Sequence, residues 1–478
     1  MKSFFRKVSF GLGPAEEIPS DPLKWAQNQL DEIPKLYWKG KIYTEKELRK
    51  FYGDFVYGKR IVLKEEYYND KKKYKEELNK LRHKNGLWFW VNLELSIRHT
   101  EAIYSSVPVL TKLWYFWCNH FALSNRALLA NFSTGAYHRE TIRSNLNQHF
   151  EKMAFEATTS WPMIFHLDNS KNIGPNSKDS KSQWRIDKNR PATINENHAR
   201  ELLELHTVST EAGYTQEDII NMAYIMSGWR YKYDSTNLLE TADVIFSERH
   251  HQPGKKIVLK KEYQSGKNAL SKAIKDLADH PSCREFIAMK LCRYLITDYP
   301  TKEMINPIVK AWKESDGYLP EVHKAAIEVA FNYSNKYQKF QNPENWYLQM
   351  VKMCDIKYPP KPEIMDTYTL GNEPNHNQKS PARFLKDLGC HPYLAIQVNG
   401  WSDISTDWMS PELIIRRLIY AKKGYFMMQS NNQNNEFYEK LIKKNFNNPN
   451  QILNILKKQN KLEDKHTLLF NLPEVLKS

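Results

Sequence analysis

The hydrophobic positions of this chain repeat with a helical period. Apolar residues recur at i, i+3 and i+4 through 87–101, 108–123, 139–157, 195–209, 216–227, 268–279, 282–296, 302–315 and 320–333, which predicts a helix over each. Pro108, Pro281 and Pro320 sit where an early-helix proline leaves no hydrogen bond unmade, and Gly228 stands as a stop after the fifth helix. Thr193-Ile-Asn-Glu196 and Thr215-Gln-Glu-Asp218 both have capping-box spacing, a hydroxyl followed three residues later by an acid. Strand signals are sparse: Val244–Phe246 and Lys256–Leu259, either side of 247–255, predict one small β-hairpin. Residues 170–192, 366–381 and 429–435 read as loops, the first long enough for a lid or a flexible insert. The tail 436–478 is basic and helical and is expected at the periphery.

Composition narrows the class. With 478 residues, 41% hydrophobic and 26% charged, the chain is a folded one, which excludes collagen, extensive disorder and a multi-span membrane protein. Only 17 glycines argue against a Gly-rich nucleotide-binding loop, so no nucleotide cofactor is expected. The net charge of +15 is largely lysine spread over segments such as 71–75 and 457–465, which reads as a solvated surface. An anionic polymer or a partner protein could use that surface, whereas nucleic acid is set aside because phosphate readers favour arginine forks. Five cysteines without a CxxC pair argue against a disulfide framework and a zinc ribbon. No stretch reaches signal-peptide or membrane-span length, so a cytoplasmic chain without a transmembrane segment is expected.

Candidate chemistry concentrates in one window. Eight of the 15 histidines fall between 120 and 251, little more than a quarter of the chain. On a helix through Asn195–His206, His206 lies about 80° from His198, central on the apolar stripe between leucines. A buried imidazole there must be hydrogen-bonded or coordinated. The two histidines are about 12 Å apart along the axis and cannot share one ion. The usable ligand pair is His198 with Glu201 at i, i+3; Glu204 is spaced for a salt bridge to Arg200, and Glu196 for a cap. Trp114, Trp117 and His120 share a helical face, which makes His120 a structural histidine, a metal ligand or a general base. His251 and Lys256 sit in or beside the expected hairpin loop, as ligand contacts or as an exposed turn. Asp168 is a ligand or a helix cap.

Asn195-Glu-Asn-His-Ala-Arg-Glu-Leu-Leu-Glu-Leu-His206, continuing through Gly213-Tyr-Thr-Gln-Glu-Asp218 to Ser227-Gly-Trp229, resembles the signature of the bacterial family known as domain of unknown function 1800. Phe4–Gly11, Phe116–Phe121, Ile164–Asn169, His251–Lys256, His280-Pro281 and Asn399-Gly-Trp-Ser-Asp403 resemble other segments of that family, so the likeness runs from about 4 to 425. The resemblance implies a mainly α fold without an agreed activity. It also implies a single large helical domain over 1–425, with a polar core at 116–256, a hairpin insertion near 243–260 and a helical half at 268–425.

Two functions fit these residues. In the first the chain is a hydrolase or oxidoreductase. His206, Glu204 and Asp168 do acid and base work beside one divalent metal ion held by His120, His198 and Glu201. Trp117, Arg200, Trp229, His251 and Lys256 then contact a saccharide-like or other ring-bearing substrate in an aromatic-lined cleft. In the second the chain is a non-catalytic binding or assembly protein, and the His/Asn/Glu signature is a buried structural hydrogen-bond network. An open pocket around His206 favours the first, and a sealed one the second.

Overall fold

Every residue of the helix Pro108–His120 except Asn119 is buried. The rest of the chain is wound around it in the computed structural model, which describes residues 2–84, 87–125, 129–231, 243–358 and 381–478. Its sequence, Pro-Val-Leu-Thr-Lys-Leu-Trp-Tyr-Phe-Trp-Cys-Asn-His, is apolar on all sides, the pattern of a helix enclosed by neighbours. We label the elements used below α1 (Lys2–Val8), α2 (Leu87–Tyr104), α3 (Pro108–His120), α4 (Phe150–Thr159), α5 (Asn197–Glu201), α6 (Gln216–Met226), α7 (Pro281–Leu295), α8 (Lys302–Glu314), α9 (Leu319–Asn332) and α10 (Pro343–Met353). α2 packs along α3, while α7, α8 and α9 pack in succession as the sequence period predicts. One hydrophobic cluster runs from Phe4 to Leu476, and a smaller one around Tyr52, Trp90, Phe132 and Trp161 flanks it. Trp114, Trp117, Trp312 and Trp346 are its largest side chains, each stabilising the fold by roughly 2–3 kcal/mol through burial.

The fold is mainly α, and its β structure corrects the expectation of one hairpin. Val244–Phe246 pairs antiparallel with Trp229–Tyr231, and Lys256–Val258 pairs with Lys261–Tyr263. Leu259 and Lys260, with φ of 48° and 66°, form the two-residue turn that closes the second pair. The 139–157 helix is also interrupted. A π-turn His138–Ile142 and a 3-10 turn Arg143–Asn145 precede α4. Between them the backbone leaves the helix to pair with the start of α9, Phe150 N donating to Gly317 O at 2.9 Å and Leu319 N to Gln148 O at 3.0 Å.

The 170–192 stretch is held down along its length. Gly174 N donates to His250 O at 2.9 Å, and Asp179 accepts from Arg185 at 2.5 Å and Arg249 at 2.9 Å. A Cβ at Gly174 would stand 2.5 Å from the Gln252 backbone, so only glycine permits that approach. Of the loop read at 366–381, only Pro381 lies among the described residues. The tail expected at the periphery supplies core instead: Ile442, Phe446, Leu469, Phe470 and Val475 are buried, and Trp346 Nε1 donates to Phe470 O at 2.8 Å. Its lysines hide an apolar stripe that average composition conceals. All five cysteines are buried free thiols.

Candidate functional site

The signature block builds a packing node. α5 begins without the expected Thr193–Glu196 box; Asn195 Oδ1 accepts from Asn197 N at 2.9 Å, and Glu196 instead bonds Arg200 (3.1 Å) and Gln216 (2.6 Å). Arg200 therefore pairs one turn back rather than with Glu204, which accepts from the Tyr214 hydroxyl at 3.4 Å. After Glu201 the helix widens into a π-turn, Leu202–His206, closed where Thr207 Oγ1 donates to Leu202 O at 2.6 Å. His206 is thereby set in the core, its ring 5.1 Å from that of Phe121 and 6.1 Å from that of His120.

Both His120 nitrogens are engaged. Nε2 donates to His206 O at 3.1 Å, and Nδ1 faces the Lys290 ammonium at 3.1 Å. Burial, the Lys290 charge and His206 hold the His120 pKa well below the usual imidazole range. Burial, Lys290 and His166 push His206 down to about 3. His198 is fully buried with neither nitrogen hydrogen-bonded among the described residues, and burial followed by His206 and His166 keeps it neutral as well. His206 Nδ1 also has no hydrogen-bond partner.

The remaining candidates are dispersed or enclosed. Asp168, in the left-handed region at φ 59°, pairs with Lys171 at 2.8 Å. Glu201 is half-buried, its carboxyl raised by burial and by Glu204. Among the described residues, no group of three or more His, Cys, Asp or Glu is arranged to hold a metal ion, so His120, His198 and Glu201 do not form the expected ligand set. His120 has no free lone pair to offer one. Trp117 is a core residue rather than a substrate platform: it is wholly buried, stacked on Phe121, with Nε1 donating to His323 Nε2 at 2.9 Å. Trp229 is buried edge-on against Phe155 and Phe246. His251 is no exposed turn residue. Its Nδ1 donates to Ser227 O at 2.6 Å, its Nε2 accepts from Gly266 N at 3.1 Å, and Lys256 is buried beside it on Gln252 O. Asn169 Nδ2 reaches Met226 O (3.2 Å) and Trp229 O (2.8 Å), binding the Ile164–Asn169 segment to the same node.

A second polar region, which sequence reasoning did not find, lies along another face of α3. Two adjoining cavities of about 30 and 20 Å³, each with room for one or two waters, share Tyr294, Asn342, Ser402 and Asp403 in their walls. Asn119 clamps the outer wall: Nδ2 donates to Trp401 O and Oδ1 accepts from Trp401 N, both at 2.8 Å. Gly400, with φ of 72°, passes so close that a Cβ would meet Asn119 Oδ1 at 2.5 Å. On the first cavity, Arg98 grips Glu344 with two bonds of 2.8 and 3.2 Å, and His99 Nε2 lies 3.2 Å from the same carboxylate. Burial alone would raise the Glu344 pKa, but Arg98 and His99 outweigh it and hold it at about 2.

The second cavity is lined by lysines. Lys339 pairs with Asp298 at 2.7 Å and also bonds the Asp403 carbonyl. Lys7 donates to the main-chain oxygen of Ser478 at 2.6 Å, and Lys112 lies over the Phe10 and Tyr294 rings. Burial, then Arg6 and Lys339, brings Lys7 down to about 7; burial and Lys7 do the same to Lys112 against the pull of Glu344. The missed signal was present in the sequence. Lys7 in Phe-Phe-Arg-Lys-Val-Ser-Phe and Lys112 in Val-Leu-Thr-Lys-Leu-Trp stand in runs apolar all round, where a charge has nowhere to go but inward.

The two regions divide the motif segments between them. Residues 164–169, 195–229 and 251–256 meet at the node, and 4–11 and 399–403 meet at the cavities. The segment 116–121 serves both, because neighbouring residues on a helix point about 100° apart and Asn119 and His120 face different ways. The family described as Protein of unknown function (DUF1800) matches residues 4–476, nearly the whole chain. No curated protein and no solved structure matches it. No helix among the described residues is long and apolar enough to cross a membrane.

Proposed function

We propose, for a chain that belongs to the DUF1800 family of proteins of unknown function, a non-catalytic binding or assembly role in which the signature block is a structural network. One observation carries the reading: His198 and His206 are enclosed and neutral, while Asp168 and Glu204 are spent on Lys171 and Tyr214. A general acid or base needs a pKa near the working pH and a route to substrate, and His206 has neither. The donors fit a divalent ion poorly, since His120 has both nitrogens engaged and, among the described residues, no three ligating groups converge. The five buried thiols support a reducing compartment, here taken as a bacterial cytoplasm. The lysine-rich surface supports an anionic polymer or a partner protein as the bound species.

The enzyme reading keeps one support of its own, the buried contact between Lys290 and His120. Both groups have lowered pKa values, Lys290 through burial first and His120 through burial and the Lys290 charge. Elemental analysis and unfolding of the wild type beside His206→Ala and His198→Ala decide the matter. The structural reading expects no stoichiometric divalent metal, and a loss of about 2–4 kcal/mol of stability in His206→Ala from the cavity it opens in the core. Stoichiometric metal lost with His198→Ala, in a variant still folded, would overturn it.

A further inference from the structure

We infer that Arg185, Arg230 and Arg249 form, beside Trp184, a surface binding site for the phosphate or sulfate group of a small ester whose flat organic part lies on the indole. Asp179 is the hub of this cluster. Its Oδ2 accepts from Arg185 Nε at 2.5 Å and its Oδ1 from Arg249 Nε at 2.9 Å, with His250 Nε2 3.7 Å away. Arg230, on the strand Trp229–Tyr231, is half-buried, and Asp179 and Arg185 are the first charges it faces. It makes no hydrogen bond or ion pair among the described residues, and its Nη1 is enclosed without a partner. The same charges, Arg230, Asp179, Arg249 and Arg185, surround His250, which burial and then Arg230 bring down to about 4 and so keep neutral.

The other described acids of the region are engaged elsewhere. Asp187 accepts from Gln183 at 2.7 Å, Asp168 pairs with Lys171, Asp243 pairs with Lys46 and Arg49, and Glu248 faces His251 and Lys256. Three guanidinium groups are therefore set against one carboxylate, whose two oxygens meet only Nε atoms. The Nη groups of Arg249, 62% exposed, are left to solvent, and paired N–H donors of this kind suit the oxygens of phosphate or sulfate. Trp184 is 52% exposed, with the Arg185 and Arg190 Cζ atoms 5.7 and 5.5 Å from its ring centre, so a flat face adjoins the charged one. Lys178, Lys181 and Lys188, exposed on the same loop, add attraction for an anion. Gly174 N and Asp179 N, each 2.9 Å from the His250 and Arg249 carbonyls, hold the loop and set the arginines in place before a ligand arrives. None of these side chains belongs to the signature block, so the site stands or falls apart from the structural reading of His198 and His206.

The test is calorimetric titration of the whole chain with phenyl phosphate and with inorganic phosphate, against sodium chloride at equal ionic strength. Saturable binding of both phosphates and none of chloride is expected, with phenyl phosphate about fivefold tighter or more through stacking on Trp184. Arg230→Met removes a guanidinium without partners, so it is expected to keep the thermal midpoint of the wild type while both phosphates bind about tenfold more weakly or worse. Arg249→Met carries the same affinity expectation and replaces Arg230→Met if that variant does not fold. In Trp184→Ala, phenyl phosphate is expected to fall to the affinity of inorganic phosphate, whose own binding is unchanged. No saturable binding of either phosphate, affinities unchanged in both arginine variants, or phenyl phosphate no tighter than inorganic phosphate would overturn the inference.

Discussion

Asn119 and Gly400 form a lock whose two halves can be tested separately. Asn119→Ala removes both bonds to the Trp401 backbone, expected to cost about 1–3 kcal/mol. Gly400→Ala forces a Cβ at φ 72° against Asn119 and is expected to cost a similar amount. Because the first change removes one of the two oxygens that the second would strike, Oδ1 but not the Asn119 main-chain oxygen at 2.6 Å, the double variant should be more stable than the sum of the singles predicts, by at least about 0.5 kcal/mol. Urea midpoints of the four proteins measure this, and simple additivity would mean that the clamp is loose. At this scale the apolar stripes of the sequence pointed His206 and His120 inward, but gave no such sign for His251, which is also buried. They could not reveal the partners of these residues. The carbonyl that His120 meets, and the lysine on its other nitrogen, come from residues 86 and 170 positions away.

Helix ends were partly legible. Thr215–Asp218 makes the full capping box, whereas Thr193 is exposed and makes none with Glu196. Thr215→Ala should therefore lose about 1 kcal/mol of stability, with Thr193→Ala within about 0.5 kcal/mol of wild type; chemical denaturation of the two checks it. Equal losses would refute the assigned helix start. Most helix spans were readable from period alone, because α7, α8 and α9 bury one face each and expose the other. Three features were not. A π-turn at Leu202–His206 inserts one residue's worth of rotation without changing the apolar spacing. The break at 146–149 is imposed by its pairing with the start of α9. The two strands taken as one hairpin each found a different mate, since three-residue strands carry too little alternation to specify a partner.

The whole molecule should resist base better than acid. His206, His323, His391 and His466 are each pushed down to about 3 by burial. Unfolded, they bind protons near pH 6.5, so between about 6.5 and 3 the unfolded state holds protons that the folded state refuses. Stability is then lost as pH falls below about 6.5, by up to roughly 1.4 kcal/mol per pH unit for each histidine. Lys7 and Lys112, at about 7 when folded, push the same way between pH 7 and 10.5. Above pH 10 the sign reverses, because buried tyrosines such as Tyr115 and Tyr137 are raised by burial and ionise first in the unfolded chain. Urea midpoints from pH 5 to 11 should peak between 8 and 10, with a shallower alkaline rise in Lys112→Met; a peak at or below pH 6 would contradict the burial of these groups. That the fold is mainly α was legible from the helical period running through the chain. That the last forty residues belong to the core was not, because their ten buried apolar residues are interleaved with eight lysines.

α1 is synthesised long before the residues that hold it, for Arg6 bonds Glu474 O at 2.5 Å and Lys477 O at 2.8 Å, and Lys7 bonds Ser478 O. At about 5–20 residues per second, tens of seconds separate the appearance of α1 from that of the residues that finish its surroundings. Through that interval Phe4, Phe5 and Val8 have no completed seat, so docking of residues 474–478 is the late event that encloses them.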